Sequence, residues 1–382
     1  MVSASYYIGG GGYYLQLCED IMRILVRTPL EDTSGFGRDG IGIVSELLNR
    51  GHQVDVEPTS AKPPLPPEIA NLLTYPQQGV YDLELHHINP GGAFLDPELS
   101  SRSRRKILWT MWEWDNVPAS VQDRDRMEFY IPKYDTVVCY TNQTQDVFKQ
   151  EGFLADGQES HVVQGGIDVS LWESVVDASP EYQKTFPYRK YERDVFRFAM
   201  VGHLNLRKNV MSVVQAFLEL KEEHGDAFNA ELILKSKYPP IPLGIDFPGV
   251  KVIPECSWTN TQMKQFYWSI DTLINVSYGE GKDLPSMEAT LCGTPVIMNN
   301  TPGHVGWNHP SIQTLLPTEK STTQGHEGRF TSPEHIKVAM LQNYRNRVQI
   351  FDQAQRLDMW LRRSVTWDKR LERLGKELSL PL

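Results

Sequence analysis

The chain has 382 residues, 40% hydrophobic and 23% charged, with 38 Lys+Arg against 48 Asp+Glu. That length suits two ordinary domains, and the composition excludes disordered and fibrous classes. The acidic excess sits in residues 22–190, which carry 16 Lys+Arg against 25 Asp+Glu, and this argues against duplex DNA as a partner.

Residues 1–21 lack a basic n-region and a sustained apolar core, so they read as an extension rather than a signal peptide. No apolar run is long enough to cross a bilayer. Cys18, Cys139, Cys256 and Cys292 show no metal-ligand spacing and suit reduced thiols in a cytoplasmic protein.

The fold is expected to start near Met22. "RILVRTP" predicts a buried parallel strand, and "TSGFGRDG", Thr33 to Gly40, a glycine-rich loop. "IGIVSELLNRG" predicts a helix with an apolar stripe at Ile43, Val44, Leu47 and Leu48, ending at Gly51. "HQVDVEP" is the returning strand, and "YDLELHHI", "KILWTMW", "DTVVCYT" and "SHVVQGG" are further strands. The basic "RSRRK", Arg102 to Lys106, reads as a strand entrance or as a contact to an anionic acceptor.

"DASPEYQKTFPYRKYERD", Asp177 to Asp194, is polar and reads as a linker. The second half opens as the first does. "FRFAMVG" is a strand, "HLNLRKN" a polar loop, and Val210 begins an amphipathic helix that stops at Gly225. "AELILKS", "GVKVIP", "DTLINVS" and "TPVIMNN" are strands, and the last forty or so residues are mostly helical. Two β-loop-α-β openings predict two doubly wound, Rossmann-like α/β domains.

"GEGKDLPSMEATLCGTP", Gly279 to Pro295, carries two carboxylates, Glu280 and Glu288, at the carboxyl end of a strand. Open α/β sheets bind ligands there. Pro285 suits a helix start and Gly293 its end. The free amides around Leu284 to Met287 would form an anion site, and Gly281 would let Glu280 lean toward a sugar. An ordinary helix with acidic residues near its N-terminus fits this spacing equally well. Arg207 and Lys208 project over the same sheet edge and would complete a diphosphate clamp.

In family order, four stretches resemble retaining GT-B glycosyltransferases of the E-x7-E type. "EGKDLPSMEATLCGTPV" is similar to their E-G-F-G-L-P-x-L-E-A-x-x-C-G-T-P-V signature, and "VGHLNLRKNVMSVVQAF" to their G-R-L-x-x-x-K-G/N element. "VVQGGID" resembles the turn that ends their first domain, and "GFGRDGIGIVSELLNRGHQV" their N-terminal glycine loop. The resemblance implies a GT-B fold, with residues 22–185 as the acceptor domain and 186–355 as the donor domain. Residues 356–382 would then be helices crossing back to the first domain.

It also implies roles. Glu280 contacts the donor sugar, Glu288 the nucleotide ribose, and Arg207 and Lys208 the diphosphate. Gly281, Lys282, Asp283 and Leu284 approach the donor, and Gly35 and Gly37 lie near its phosphates. By position, His87 faces the donor sugar, with His86 as the alternative. Read from the residues alone, either histidine is a core or turn residue.

"ILWTMWEWDNVPASV" resembles a T-x-W-E-x-D-x-x-P element of some of these enzymes and offers Trp112 and Glu113 to an acceptor. The same aromatics would equally suit a buried cluster. His203 stands where the family has Arg, and Lys282 and Asp283 replace Phe and Gly.

The implied activity is transfer of a sugar from a UDP- or GDP-linked donor to a hydroxyl of a protein, glycan or small molecule. Configuration would be retained, and neither metal nor cofactor is expected. A nucleotide-sugar epimerase, a phosphorylase, or a sugar-nucleotide-binding protein of weak activity are the alternatives.

Overall fold

The structure, a computed structural model, describes residues 21–31, 34–62, 64–73, 79–90, 103–120, 124–174, 194–236, 247–253 and 258–382. Residues 1–20 of the expected extension, nearly all of the expected linker, Arg102, Cys18 and Cys256 lie outside these.

Six strands, β1 (Arg23–Glu31), β2 (Gln53–Lys62), β3 (Leu83–His87), β4 (Lys106–Thr110), β5 (Thr136–Cys139) and β6 (Glu159–Val162), form a sheet in the order β2-β1-β3-β4-β5-β6. Five more form a second sheet in the order β11-β10-β7-β8-β9: β7 (Phe196–Gly202), β8 (Ala230–Ser236), β9 (Val250–Ile253), β10 (Thr272–Asn275) and β11 (Val296–Met298). Every pairing in both sheets is parallel. This is the GT-B fold, and each of these strands falls on a stretch read as a strand; most inner ones are apolar runs covered on both faces, whereas the edge strands β2, β6 and β9 carry polar residues and β6 and β9 are partly exposed.

The helices are α1 (Gly35–Asn49), α2 (Pro67–Leu72), α3 (Arg124–Tyr130), α4 (Asn142–Gln150), α5 (Val210–His224), α6 (Asn260–Ser269), α7 (Leu284–Leu291), α8 (Pro302–Val305), α9 (Pro333–Arg345), α10 (Arg347–Ser364) and α11 (Trp367–Leu378).

One sequence expectation fails at α1. The stretch read as a glycine-rich loop is helical from Gly35, because the Ser34 side chain caps the helix by accepting from the Gly37 amide at 3.0 Å. Its glycines serve packing. A Cβ would lie 2.3 Å from the Glu31 carbonyl at Gly37, 2.3 Å from the Pro29 carbonyl at Gly40, and 1.9 Å from Trp367 Nε1 at Gly42. The helix thus lies close on β1 and on α11.

The C-terminal return follows from two apolar faces. α10 stays on the second domain's core through Leu357 and Leu361. The Ile167 amide donates to the Val365 carbonyl at 2.9 Å, so the two chain crossings touch. α11 then buries Trp367, Leu371, Leu374 and Leu378 in the first domain's core.

A hairpin not read from the sequence, β12 (Glu319–Thr323) and β13 (His326–Phe330), turns at Gln324 (φ 52°) and Gly325 (φ 81°). Two successive left-handed residues match the twist of the flanking strands. The hairpin docks on the first domain, where the Asp115 amide donates to the Glu327 carbonyl and Glu327 N–H to Asn116 Oδ1, each at 2.8 Å.

The acceptor reading of "RSRRK" is corrected at its described residues. They lie at the amino end of β4, the edge opposite the ligand edge, and Arg105 is spent on the Leu378 carbonyl (2.8 Å) and Thr136 Oγ1 (2.9 Å).

Candidate active site in the interdomain cleft

The loop after β10 faces the first domain at contact distance. A Cβ on Gly279 would fall 1.6 Å from the Glu113 carbonyl oxygen, and one on Gly281 2.3 Å from Met111 Sδ. The glycine at 281, expected as a flexible turn, is needed for close approach. The left-handed residue is Asp283, at φ 63°. Gly279→Ala meets the Glu113 backbone at 1.6 Å, whereas Gly281→Ala meets the Met111 side chain, whose Sδ at 2.3 Å can move more readily than its Cβ at 2.9 Å. The first is therefore expected to cost roughly 1–3 kcal/mol and the second clearly less. Chemical denaturation of both variants checks this, and equal costs would contradict it.

The Asp283 side chain makes no capping hydrogen bond to α7. Its carboxylate instead lies 2.8 Å from His304 Nε2 of α8. α7 starts at Leu284, with Pro285 in its first turn and the left-handed Gly293 (φ 70°) just beyond its end. Glu288 is the fifth helical residue and 2% exposed. It accepts from Tyr267 OH at 2.8 Å and pairs with Arg38 of α1, across the cleft.

Glu280 is 5% exposed and lies 2.5 Å from Lys208 Nζ and 3.1 Å from Arg207 Nη1. Burial would raise its pKa, but Arg207, Lys208 and then His304 outweigh it and hold the carboxyl well below its usual range. Arg207 Nε reaches Glu113 Oε2 at 3.1 Å, so one guanidinium joins carboxylates from both domains. Burial pushes the Glu113 carboxyl up, Arg207 opposes this, and the Glu280 charge adds to it.

Lys208, though it stands in a polar loop, is only 5% exposed. The short turn Leu206–Lys208, closed by left-handed Asn209 (φ 55°), lays the lysine stem in ordinary contact with Gly202, where the backbone φ of 133° calls for glycine. His203 is exposed.

A second cross-cleft pair joins Lys282 Nζ to Asp39 Oδ1 at 2.5 Å, both 2% exposed in their side chains. Lys282 also donates to the Gly166 carbonyl and lies 4.9 Å from the centre of the Trp367 ring. Burial pushes the Asp39 carboxyl up and the Lys282 ammonium down, each opposed by the other's charge.

Asp39 continues a buried chain. Tyr140 OH donates to Asp39 Oδ2 at 2.8 Å, His87 Nε2 is 2.7 Å from that hydroxyl, and Thr28 Oγ1 is 3.1 Å from His87 Nδ1. A hydroxyl has one proton, so His87 donates through Nε2 and accepts through Nδ1. The ring has no exposed surface, and Phe36 packs 5.3 Å away, centre to centre. His86 points elsewhere, to Glu84 Oε1 (2.6 Å) and Tyr134 OH (2.5 Å).

Burial and the Lys282 charge push the His87 pKa from 6.5 down to about 3. The stability this neutral ring contributes is complete above pH 6.5. As pH falls below that value, the unfolded chain takes up a proton that the folded chain refuses. Stability is then lost at up to about 1.4 kcal/mol per pH unit, until the folded ring protonates. Wild type should therefore lose melting temperature more steeply below pH 6.5 than His87→Gln, and parallel curves would show otherwise.

The first-domain wall holds a cavity of about 510 Å³ at the carboxyl ends of β1, β3 and β4, lined in part by Ser34, Gly35, Phe36, Asn89, Met111 and Glu113. Gly35 sits at this wall against Leu284: a Cβ there would meet Leu284 Cδ1 at 3.6 Å. Trp112 donates through Nε1 to the Asn116 carbonyl at 2.9 Å, which shapes the loop that presents Glu113. Trp109 is fully buried in the core, and Trp114 stacks on His326 of the hairpin at 4.7 Å.

The structure thus brings Glu280, Glu288, Arg207, Lys208, Gly281, Lys282, Asp283, Leu284 and Glu113 together at the cleft. Sequence reading missed Arg38, Asp39, Tyr140, Tyr267 and His304. Arg38 and Asp39 stand inside the quoted glycine stretch, where two charged residues at the start of an amphipathic helix were the available signal. Among the described residues, no group of three or more His, Cys, Asp or Glu could hold a metal ion, and no helix is long and apolar enough to cross a membrane.

No family model and no curated protein matches the chain. Solved structures do. Sucrose-phosphate synthase from Thermosynechococcus elongatus superposes at a TM-score of 0.64 and 13% identity, over 94% of this chain and 98% of that one. Anabaena HepE in complex with UDP and glucose gives 0.62 and 14%, over 94% and 99%. WaaG, a glycosyltransferase involved in lipopolysaccharide biosynthesis, gives 0.60 and 13%, over 93% and 99%. At these identities the likeness is one of fold, and the fold shared is GT-B across nearly the whole chain.

Proposed function

We propose that this chain is a glycosyltransferase that moves a sugar from a nucleotide-diphosphate sugar to an acceptor hydroxyl with retention of anomeric configuration. The observation that carries the reading is Glu280, held ionised by Lys208 and Arg207 beside the amino end of α7. An ionised carboxylate fixed next to two cations and free amides can face a sugar while its neighbours draw charge onto a departing diphosphate.

In this reading Glu280 contacts the donor sugar and Glu288 the ribose. Arg207 and Lys208 are shared between Glu280 and the diphosphate. Gly281 to Leu284 line the donor path, with Gly35 across from them; Gly37, expected near the phosphates, is instead packed on Glu31 of β1. Glu113 and Trp112 form the acceptor wall. His87, covered by Phe36, acts by fixing Asp39 and hence Lys282. HepE is known with UDP and with UDP-glucose, which makes a UDP-linked donor the first to test.

The test is incubation with UDP- and GDP-linked sugars and a panel of glycan acceptors, with products followed by NMR. A new glycoside with the donor's anomeric configuration supports the proposal, and an inverted product overturns retention. Free epimerised nucleotide sugar, or dependence on orthophosphate, would place the chain among other GT-B enzymes. Donor binding without any turnover would make it a sugar-nucleotide-binding protein.

A further inference from the structure

The ribose-reading carboxylate is held from both domains. Glu288 sits on α7 of the second domain, and Tyr267 of α6, in the same domain, donates to its Oε2 at 2.8 Å. Its other oxygen, Oε1, receives Arg38 Nη1 from α1 of the first domain. Each carboxylate oxygen has two acceptor positions, so both contacts can persist while Glu288 accepts two ribose hydroxyls. Arg38 is itself held in place: its guanidinium lies 5.9 Å from the centre of the Trp172 ring, and α1 is pressed onto β1 and α11 by its glycines. A cavity of about 330 Å³ opens beside this pair, lined in part by Arg38, Trp172, Leu284, Glu288 and Trp367.

We propose that Arg38 is a positioning residue for nucleotide recognition: it orients Glu288 toward the ribose, and does so only when the two domains are closed on each other. Nucleotide affinity is thereby tied to cleft closure through a residue that touches the carboxylate and not the nucleotide. This rests on the ribose role proposed for Glu288. It assigns ribose discrimination to a side chain on the opposite domain.

The ribose hydroxyls allow a chemical test. Binding of UDP and of 2′,3′-dideoxy-UDP to the full chain is measured by calorimetry for wild type, Glu288→Gln, Arg38→Met, Arg38→Lys and Tyr267→Phe. Arg38→Met should weaken UDP about tenfold and the dideoxy analogue less than twofold, since a missing hydroxyl has no use for an oriented carboxylate. Arg38→Lys should recover a large part of the loss. Tyr267→Phe removes the other support without touching the domain interface. It should show the same selectivity, which keeps the proposal testable if Arg38→Met folds poorly.

Equal losses for both nucleotides in Arg38→Met would mean that Arg38 meets the ligand directly or merely holds the domains together, and would overturn the proposal. So would unchanged binding of both. If Glu288→Gln itself fails to discriminate UDP from the dideoxy analogue, the ribose role of Glu288 has failed. If Glu288→Gln discriminates and Arg38→Met does not, the role of Arg38 alone has failed.

Discussion

Glu280→Gln is expected to lower kcat by about a hundredfold or more, while Glu288→Gln mainly raises the donor KM. The substitutions are alike in size and chemistry, so the difference must come from place. Glu280 lies 2.5 Å from Lys208 and 3.1 Å from Arg207, and its negative charge sets where those cations stand. In the proposed reaction the leaving diphosphate and the sugar both change charge as their bond breaks. A fixed charge at that point acts more strongly on the transition state than on the bound donor, and losses of such groups typically reach 10²–10³ in kcat. Glu288 meets a ribose that does not change during the reaction, so its contribution is uniform and appears in KM. Steady-state kinetics decides the matter: a pure KM effect at Glu280 would remove it from the chemistry. The stability of Glu280→Gln should be measured alongside, because Lys208 is only 5% exposed and loses its counter-charge.

Asp39→Leu or Lys282→Met, made singly, should each destabilise the chain by roughly 3–5 kcal/mol, and the double variant should recover most of that loss. Both side chains are 2% exposed and 2.5 Å apart. Removing one leaves a charge in a place that water barely reaches, and that unpaired charge is the larger part of the penalty. Removing both leaves apolar groups of similar volume, with only Tyr140 OH and the Gly166 carbonyl short of a partner. A double-mutant cycle in denaturant measures the coupling. Single variants within about 1 kcal/mol of wild type would show that the pair is hydrated and does little to close the cleft. The pair spans the domains, so a large coupling would also mean that closure, and not only folding, depends on it.

The eleven parallel strands, the proline start and glycine stop of α7, and the spacing of Glu280 and Glu288 were legible in the sequence. Each depends on a local rule: a continuous apolar run for a strand buried on two faces, Pro in a helix's first turn, Gly in the left-handed region after its end. Local rules also placed Arg207 and Lys208 on a loop over the right sheet edge. What they could not supply was which partner each side chain meets across the cleft. "TSGFGRDG" has the composition of a loop, and only the proximity of β1 and Trp367 makes its glycines helix-packing positions. Lys208 looks solvated until Glu280, 72 residues away, is brought to it. Arg38 and Glu288 are separated by 250 residues, and Asp39 and Lys282 by 243. No periodicity in the chain encodes such pairs, because they form only when two independently wound sheets face each other. The sequence by itself determined two Rossmann-like halves and where each would present its ligand edge. The tertiary structure decided which charges would be buried together between them, since the desolvation that makes those pairs matter exists only once the cleft has closed.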